Sequence, residues 1–183
     1  MFKTIFSFEL KRWLKNPSLY IYFTLFFLLS FLFSGISFGF FDSITAARST
    51  NAYANSPIAL NGFVNGMNYL IYFLLPIFVG SAVYRDFRYN MHTILFSYPF
   101  TKIDYIAGKF LSSLLVVVII TLSIVVGIVA ASVMPFANPD VLLPFNAFAF
   151  AKIYAIYIIP NLFFFGVIVF ALVTLTRNIS VGF

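Results

Sequence analysis

The chain has 183 residues, of which 62% are hydrophobic, 21% aromatic and 9% charged, with a mean hydropathy of +1.03. A soluble domain carries about 25% charged residues, so the composition excludes an ordinary soluble domain and indicates an integral membrane protein. There is no cysteine, which excludes disulfides and thiolate metal sites, and the net charge of +6 bears on membrane topology rather than on nucleic acid.

Residues 1–16 read as an interfacial amphipathic helix. Phe2, Ile5, Phe6, Leu10, Trp13 and Leu14 make one face, while Lys3, Thr4, Ser7, Lys11, Arg12 and Lys15 lie mostly on the other. No compact uncharged core and cleavage site mark it as a signal peptide. Glu9 sits near the apolar stripe, either as an i, i+3 partner of Arg12 or as a functional contact. Asn16-Pro17-Ser18 breaks this helix, and an uncharged first span over 19–41 follows.

Gly35 and Gly39 form a Gly-x-x-x-Gly pattern that permits close helix approach. Residues 42–61 form a polar loop on the far side, with a short helix around Ile44 to Arg48. The second span covers 62–84. Asn61, Asn65, Asn68, Tyr69 and Tyr72 share a face in its outer half, and amides at that depth need protein or water as partners. This face serves either interhelical bonding or a substrate path. Gly62 and Gly66 repeat the small-residue spacing, and Pro76 predicts a kink or local loosening.

A polar connector spans 85–104. Phe87, Met91, Ile94, Leu95 and Tyr98 predict one apolar helical face lying on the membrane surface, and Pro99 ends that helix. Thr101 and Asp104 resemble a capping box opening the third span, 105–134, where Lys109 lies one turn inside and snorkels to the interface. A short return loop leads to the fourth span, 148–176, which contains Pro160. Arg177-Asn178 reads as a tight turn, and Ile179 to Phe183 as the start of a fifth span, so the sequence reads as incomplete at its carboxyl end.

The fold class is therefore all-α and polytopic, a single transmembrane domain. Nine of the 11 Lys/Arg fall on the side of the amino terminus, the connector and Arg177; only Arg48 and Lys152 fall on the other. The positive-inside rule places the amino terminus and the connector in the cytoplasm.

Catalytic signatures are missing from the sequence. There is no phosphate-binding Gly-x-x-x-x-Gly-Lys-[Ser/Thr] and no His-Glu-x-x-His, and His92 is the single histidine. Glu9, Asp42, Asp86, Asp104 and Asp140 all fall outside the predicted spans, which leaves no intramembrane carboxylate pair for acid–base work. The chain reads as a non-enzyme without cofactor, and a transporter of this kind draws its energy from another polypeptide.

The connector residues Tyr84-Arg85-Asp86, Thr93-Ile94-Leu95, Ser97-Tyr98-Pro99, Lys102-Ile103-Asp104-Tyr105 and Gly108-Lys109-Phe110 resemble the membrane subunit of type 2 ABC exporters. The order of elements along the whole chain resembles the amino-terminal part of that family. His92 departs from the pattern, because many members place Gly before the Thr. The resemblance implies a six-span permease in the cytoplasmic (inner) membrane, a separate ABC ATP-binding subunit, and a second permease half, identical or different, with membrane lipid around them. It implies an acidic coupling position at Asp86. Arg85, Arg88, Asn90, His92 and Asp104 are the neighbouring candidates for the ATPase contact, and Asn65, Asn68, Tyr69 and Tyr72 for the path or polar face. The alternative is a non-transporting membrane scaffold or assembly protein, which accounts equally for the composition but gives the ordered connector no purpose.

Overall fold

The computed structural model describes residues 1–40, 53–91, 101–144 and 146–183, without the side chain of Val141. The described residues are helical and contain no strand. Four helices are long and apolar enough to cross a membrane: Pro17–Ser37, Pro57–Arg88, Lys102–Val133 and Ala147–Thr176. This architecture is compatible with a multi-pass membrane protein. The expected short helix at Ile44 to Arg48, His92, and the connector from residue 92 through Pro99 lie outside the described residues.

Helix α1 is Phe2–Leu14 and α2, the first span, is Pro17–Ser37. Between them Asn16 is extended, and its side chain accepts from the Ser18 N–H at 3.0 Å while Pro17 takes the first helical position. A proline there loses nothing, since that N–H has no intrahelical acceptor. The Tyr20 hydroxyl donates to the Leu14 carbonyl at 2.8 Å and ties the end of α1 to the first turn of the span.

The second span comprises α3 (Pro57–Tyr72), a π-helical segment at Pro76–Gly80, and α4 (Ser81–Arg88). Pro76 has no N–H to continue the α ladder, and the register slips to the wider π spacing, with the Ser81 N–H reaching the Pro76 carbonyl. The loosening expected at Pro76 thus takes the form of a π-bulge. The fourth span repeats it: α6 (Ala147–Ile153), a π segment at Tyr154–Ile158, and α7 (Ile159–Thr176) with Pro160 in its first turn.

Helix α4 continues the second span through Arg85 and Asp86, so the connector does not begin a separate surface helix at Arg85. Asn90 ends the helix instead, in the left-handed conformation with φ 52°. The Met91 N–H bonds the Asp86 carbonyl at 2.9 Å and the Asn90 N–H bonds the Phe87 carbonyl at 3.2 Å. These are the paired bonds of a Schellman ending, and asparagine is the non-glycine residue that best tolerates them. One continuous apolar face from Phe87 to Tyr98 is therefore interrupted at Asn90.

Helix α5, Lys102–Val133, is the third span and the centre of the bundle. It packs against α1, α2, α7 and the second span. Val116, Val117, Ile120, Ile124, Ile128 and Ala131 are fully buried and follow helical spacing along it. Thr101 caps it by accepting from the Asp104 N–H at 3.1 Å.

The close helix contacts fall at glycines outside the Gly-x-x-x-Gly pairs. A Cβ on Gly127 would lie 2.8 Å from the Phe27 carbonyl oxygen, so α2 and α5 nearly touch backbone to backbone. A Cβ on Gly108 would lie 2.9 Å from Ile5. By contrast, Gly62 and Gly66 face open space, Gly35 is covered by the ring of Phe40, and Gly39 turns the chain with φ 90°.

At the end away from α1, the Asn55 amide pairs with both backbone groups of Leu143 at 2.6 Å. The Tyr154 hydroxyl donates to the Val118 carbonyl at 2.6 Å and bonds Thr121, joining spans three and four. After Thr176, Arg177 adopts φ 53°, and Ile179–Gly182 form a single 3-10 turn where the opening of a fifth span was expected.

Candidate functional site

The most highly charged region of the interior lies where α1 crosses the base of spans two and three. Lys109 stands on the second turn of α5, beside Gly108, whose missing side chain lets α1 approach. The Lys109 ammonium donates to the Ala82 carbonyl at 2.9 Å and lies 2.5 Å from Asp86 Oδ2 and 3.0 Å from Glu9 Oε1. It thereby ties α4, α1 and α5 together with all three of its protons. The Tyr105 hydroxyl, one turn earlier, donates to the same Asp86 oxygen at 2.6 Å.

Glu9 is shared more loosely. Arg85 Nη2 stands 3.8 Å from Glu9 Oε2, and Arg12 Nη1 stands 3.9 Å from Oε1. Both distances are ion pairs without a hydrogen bond. The Arg85 guanidinium is held by its Nε bond to the Ser81 carbonyl at 3.2 Å and lies 4.5 Å from the centre of the Trp13 ring. Trp13 in turn packs on Phe78 with ring centroids 5.0 Å apart. Glu9, Asp86 and Lys109 are each under 5% exposed.

This arrangement corrects two expectations and extends a third. Lys109 does not snorkel; its ammonium is buried between two carboxylates. Glu9 does pair with Arg12 at i, i+3, but its shortest contact is with Lys109, far away in sequence. Asp86 does not stand in water at the start of the connector, because the second-span helix continues and turns it inward. The physical reason is common to all three: two acids and two cations on three helices neutralise one another, so burial leaves no isolated charge. Helical spacing within each segment could place these residues, but only the tertiary crossing of α1 brings them together.

The remaining coupling candidates are dispersed. Arg88 and Asn90 are exposed at the same end. Asp104, with its side chain 28% exposed, lies 4.0 Å from the amino-terminal ammonium of Met1. A cavity of about 440 Å³ opens between α1 and the base, walled by Ile5, Phe8 and Met91.

The polar face of the second span also divides. Asn65 is exposed and donates to Asn61 at 3.2 Å, and Tyr69 is exposed beside it. Asn68 points inward and is 3% exposed, with neither amide atom hydrogen-bonded. Tyr72 is half-buried, its ring centroid 4.5 Å from that of Phe165. The predicted arc straddles the boundary between the packed and open sides of the helix. Tyr69, Tyr72, Pro76 and Phe165 line a second cavity of about 360 Å³.

Chemically, the base is a closed set of charge pairs and hydrogen bonds around Lys109. The ammonium protons of Lys109 and the phenolic proton of Tyr105 are all committed to acceptors. Among the described residues no group of three or more His, Cys, Asp or Glu is placed to hold a metal ion. Comparison of the chain with protein-family models, with curated proteins and with solved structures gave no match.

Proposed function

We propose that this chain is the membrane subunit of an ABC-type exporter, oriented with its amino terminus in the cytoplasm of a cell with that transporter in its inner membrane. ATP is hydrolysed by a separate subunit that docks on the connector side, and a second permease half completes the transporter. The observation that carries this reading is the charge-locked base. Glu9, Asp86 and Lys109 join α1, the end of span two and the start of span three into one unit. A push delivered at the neighbouring exposed residues Arg88 and Asn90 would reach three helices together. The Asp86 coupling role is thereby recast: its carboxylate stiffens the base, and Arg88 becomes the better contact candidate.

The absence of cysteine permits a direct test. A single cysteine at Arg88, carrying a photocrosslinker, is expected to capture an ATP-binding subunit from the intact membrane complex, identified by mass. Reconstitution of that pair is expected to raise its ATP hydrolysis. If the full-length chain is stable, yet neither capture nor stimulation of a nucleotide-hydrolysing partner occurs, the scaffold reading replaces this one.

A further inference from the structure

The locked base has a consequence at the surface. Three acids belong to this end of the molecule, Glu9, Asp86 and Asp104. Two of them are withdrawn into the interior, where Lys109 and Arg85 balance them. Of the nine Lys/Arg at this end, seven are then left outside; Arg12 keeps its 3.9 Å pair with Glu9, and Asp104 is the one acid left to offset the other six. Lys3, Lys11, Arg12 and Lys15 are all exposed on α1, as are Arg88 and Lys102 beside it. The sequence between Arg88 and Lys102 contributes no acid. A surface cleared of its own counter-charges has a strong unmet demand for anions.

We infer that the outer face of α1, with the first turn of α5, is a binding surface for anionic phospholipid headgroups. Two observations select lipid over an acidic protein. Large apolar side chains are interleaved with the cations: Leu14 is 40% exposed and Ile103 77%, and Phe8, 67% exposed, stands at the edge of this face where the cavity beside the base opens. That mixture suits insertion at the boundary between headgroups and acyl chains. The position of α1 is also fixed at the membrane boundary, because the Asn16 cap and the Tyr20–Leu14 bond join it directly to the first turn of a span. The buried face of α1 is occupied by α5, so its outer face is the one presented to the headgroup layer.

The inference does not depend on the transporter reading, and its test needs no nucleotide or partner. The full chain is placed in nanodiscs of 30% phosphatidylglycerol and 70% phosphatidylcholine, and the lipid retained on release is counted by native mass spectrometry. Phosphatidylglycerol is expected to be enriched over its bulk share. Changing Lys3, Lys11 and Lys15 together to Gln is expected to lower the retained ratio of phosphatidylglycerol to phosphatidylcholine by at least about fivefold, roughly the effect of one cation near an anionic surface. These lysines lie outside the ion network, so folding is preserved and is checked by the emission of Trp13. Lys152→Gln, at the opposite end, is expected to change nothing. Retention of the two lipids in their bulk 30:70 ratio, an unchanged ratio in the triple variant, or an equal loss in Lys152→Gln would each overturn the inference. So would a triple variant that keeps its lipid but loses a co-purifying acidic protein.

Discussion

Two buried polar sites in this bundle solve the same problem differently. At the base, charged groups on three helices meet around Lys109, and each of its protons has an acceptor within 3.0 Å. In the half of span two farther from α1, Asn68 is as deeply buried, yet both atoms of its amide lack a hydrogen-bond partner. The charged site is the costlier to desolvate; it is satisfied at Lys109 but not at its rim, where Glu9 Oε2, Arg85 Nη2 and the Trp13 indole N–H make no hydrogen bond and the first two face each other at 3.8 Å. The neutral site is cheaper to bury and is left incomplete. A buried group without partners reduces stability, so the contrast separates a site whose unbonded charged atoms stand at ion-pair distance from each other from one whose amide has a partner of neither kind.

The largest effect should come from opening the first site. Lys109→Met leaves two carboxylates buried around an apolar side chain of similar length. Breaking a buried pair in this way costs about 3–5 kcal/mol, and the loss should be read as a lower midpoint of unfolding followed by Trp13 emission. A change below about 1 kcal/mol, the usual worth of an exposed ion pair, would mean that the base is hydrated and that the lock does not exist. The opposite sign is expected at the second site. Asn68→Leu removes an unsatisfied amide and should raise stability by about 1–2 kcal/mol. If it lowers stability instead, the amide has a partner in the membrane. If stability rises but transport of the physiological cargo is altered, that partner is the cargo.

The four spans were legible because each is a long apolar run, and the observed bounds differ from the expected ones by a few residues. The cap at Thr101 and the loosening at Pro76 were legible; Asn16 was read only as part of a helix break, and the π segment before Pro160 was not anticipated. The helix ending at Asn90 was missed, because an asparagine inside an otherwise periodic stretch looks like a polar surface residue until its φ is known. The base was missed for a deeper reason. Glu9, Asp86 and Lys109 are far apart in sequence, and each alone looks like a residue at the edge of a membrane. Their charges cancel only after α1 folds onto α5, and the residue that permits this, Gly108, carries no side chain to signal it. The Gly-x-x-x-Gly pairs drew attention to the wrong glycines, since the pattern reports that close approach is possible and not where a neighbouring helix lies.

The smallest effect separates charge from packing in holding α1. Glu9→Gln keeps an oxygen able to accept from Lys109, but it removes the carboxylate charge from that 3.0 Å contact as well as from the longer pairs with Arg12 and Arg85, at 3.9 and 3.8 Å. An excess cation is then left in the base, a cost that falls on overall stability rather than on where α1 sits. Helix α1 remains pinned on either side of Glu9, by Ile5 over Gly108 and by Trp13 against Phe78. Trp13 emission should therefore stay close to that of the parent. Gly108→Leu leaves every charge in place but fills the space occupied by Ile5, so it should lift α1 and shift Trp13 emission to the red. A red shift from Glu9→Gln with none from Gly108→Leu would reverse the order, making the charge, rather than the shape of the contact, what keeps α1 docked.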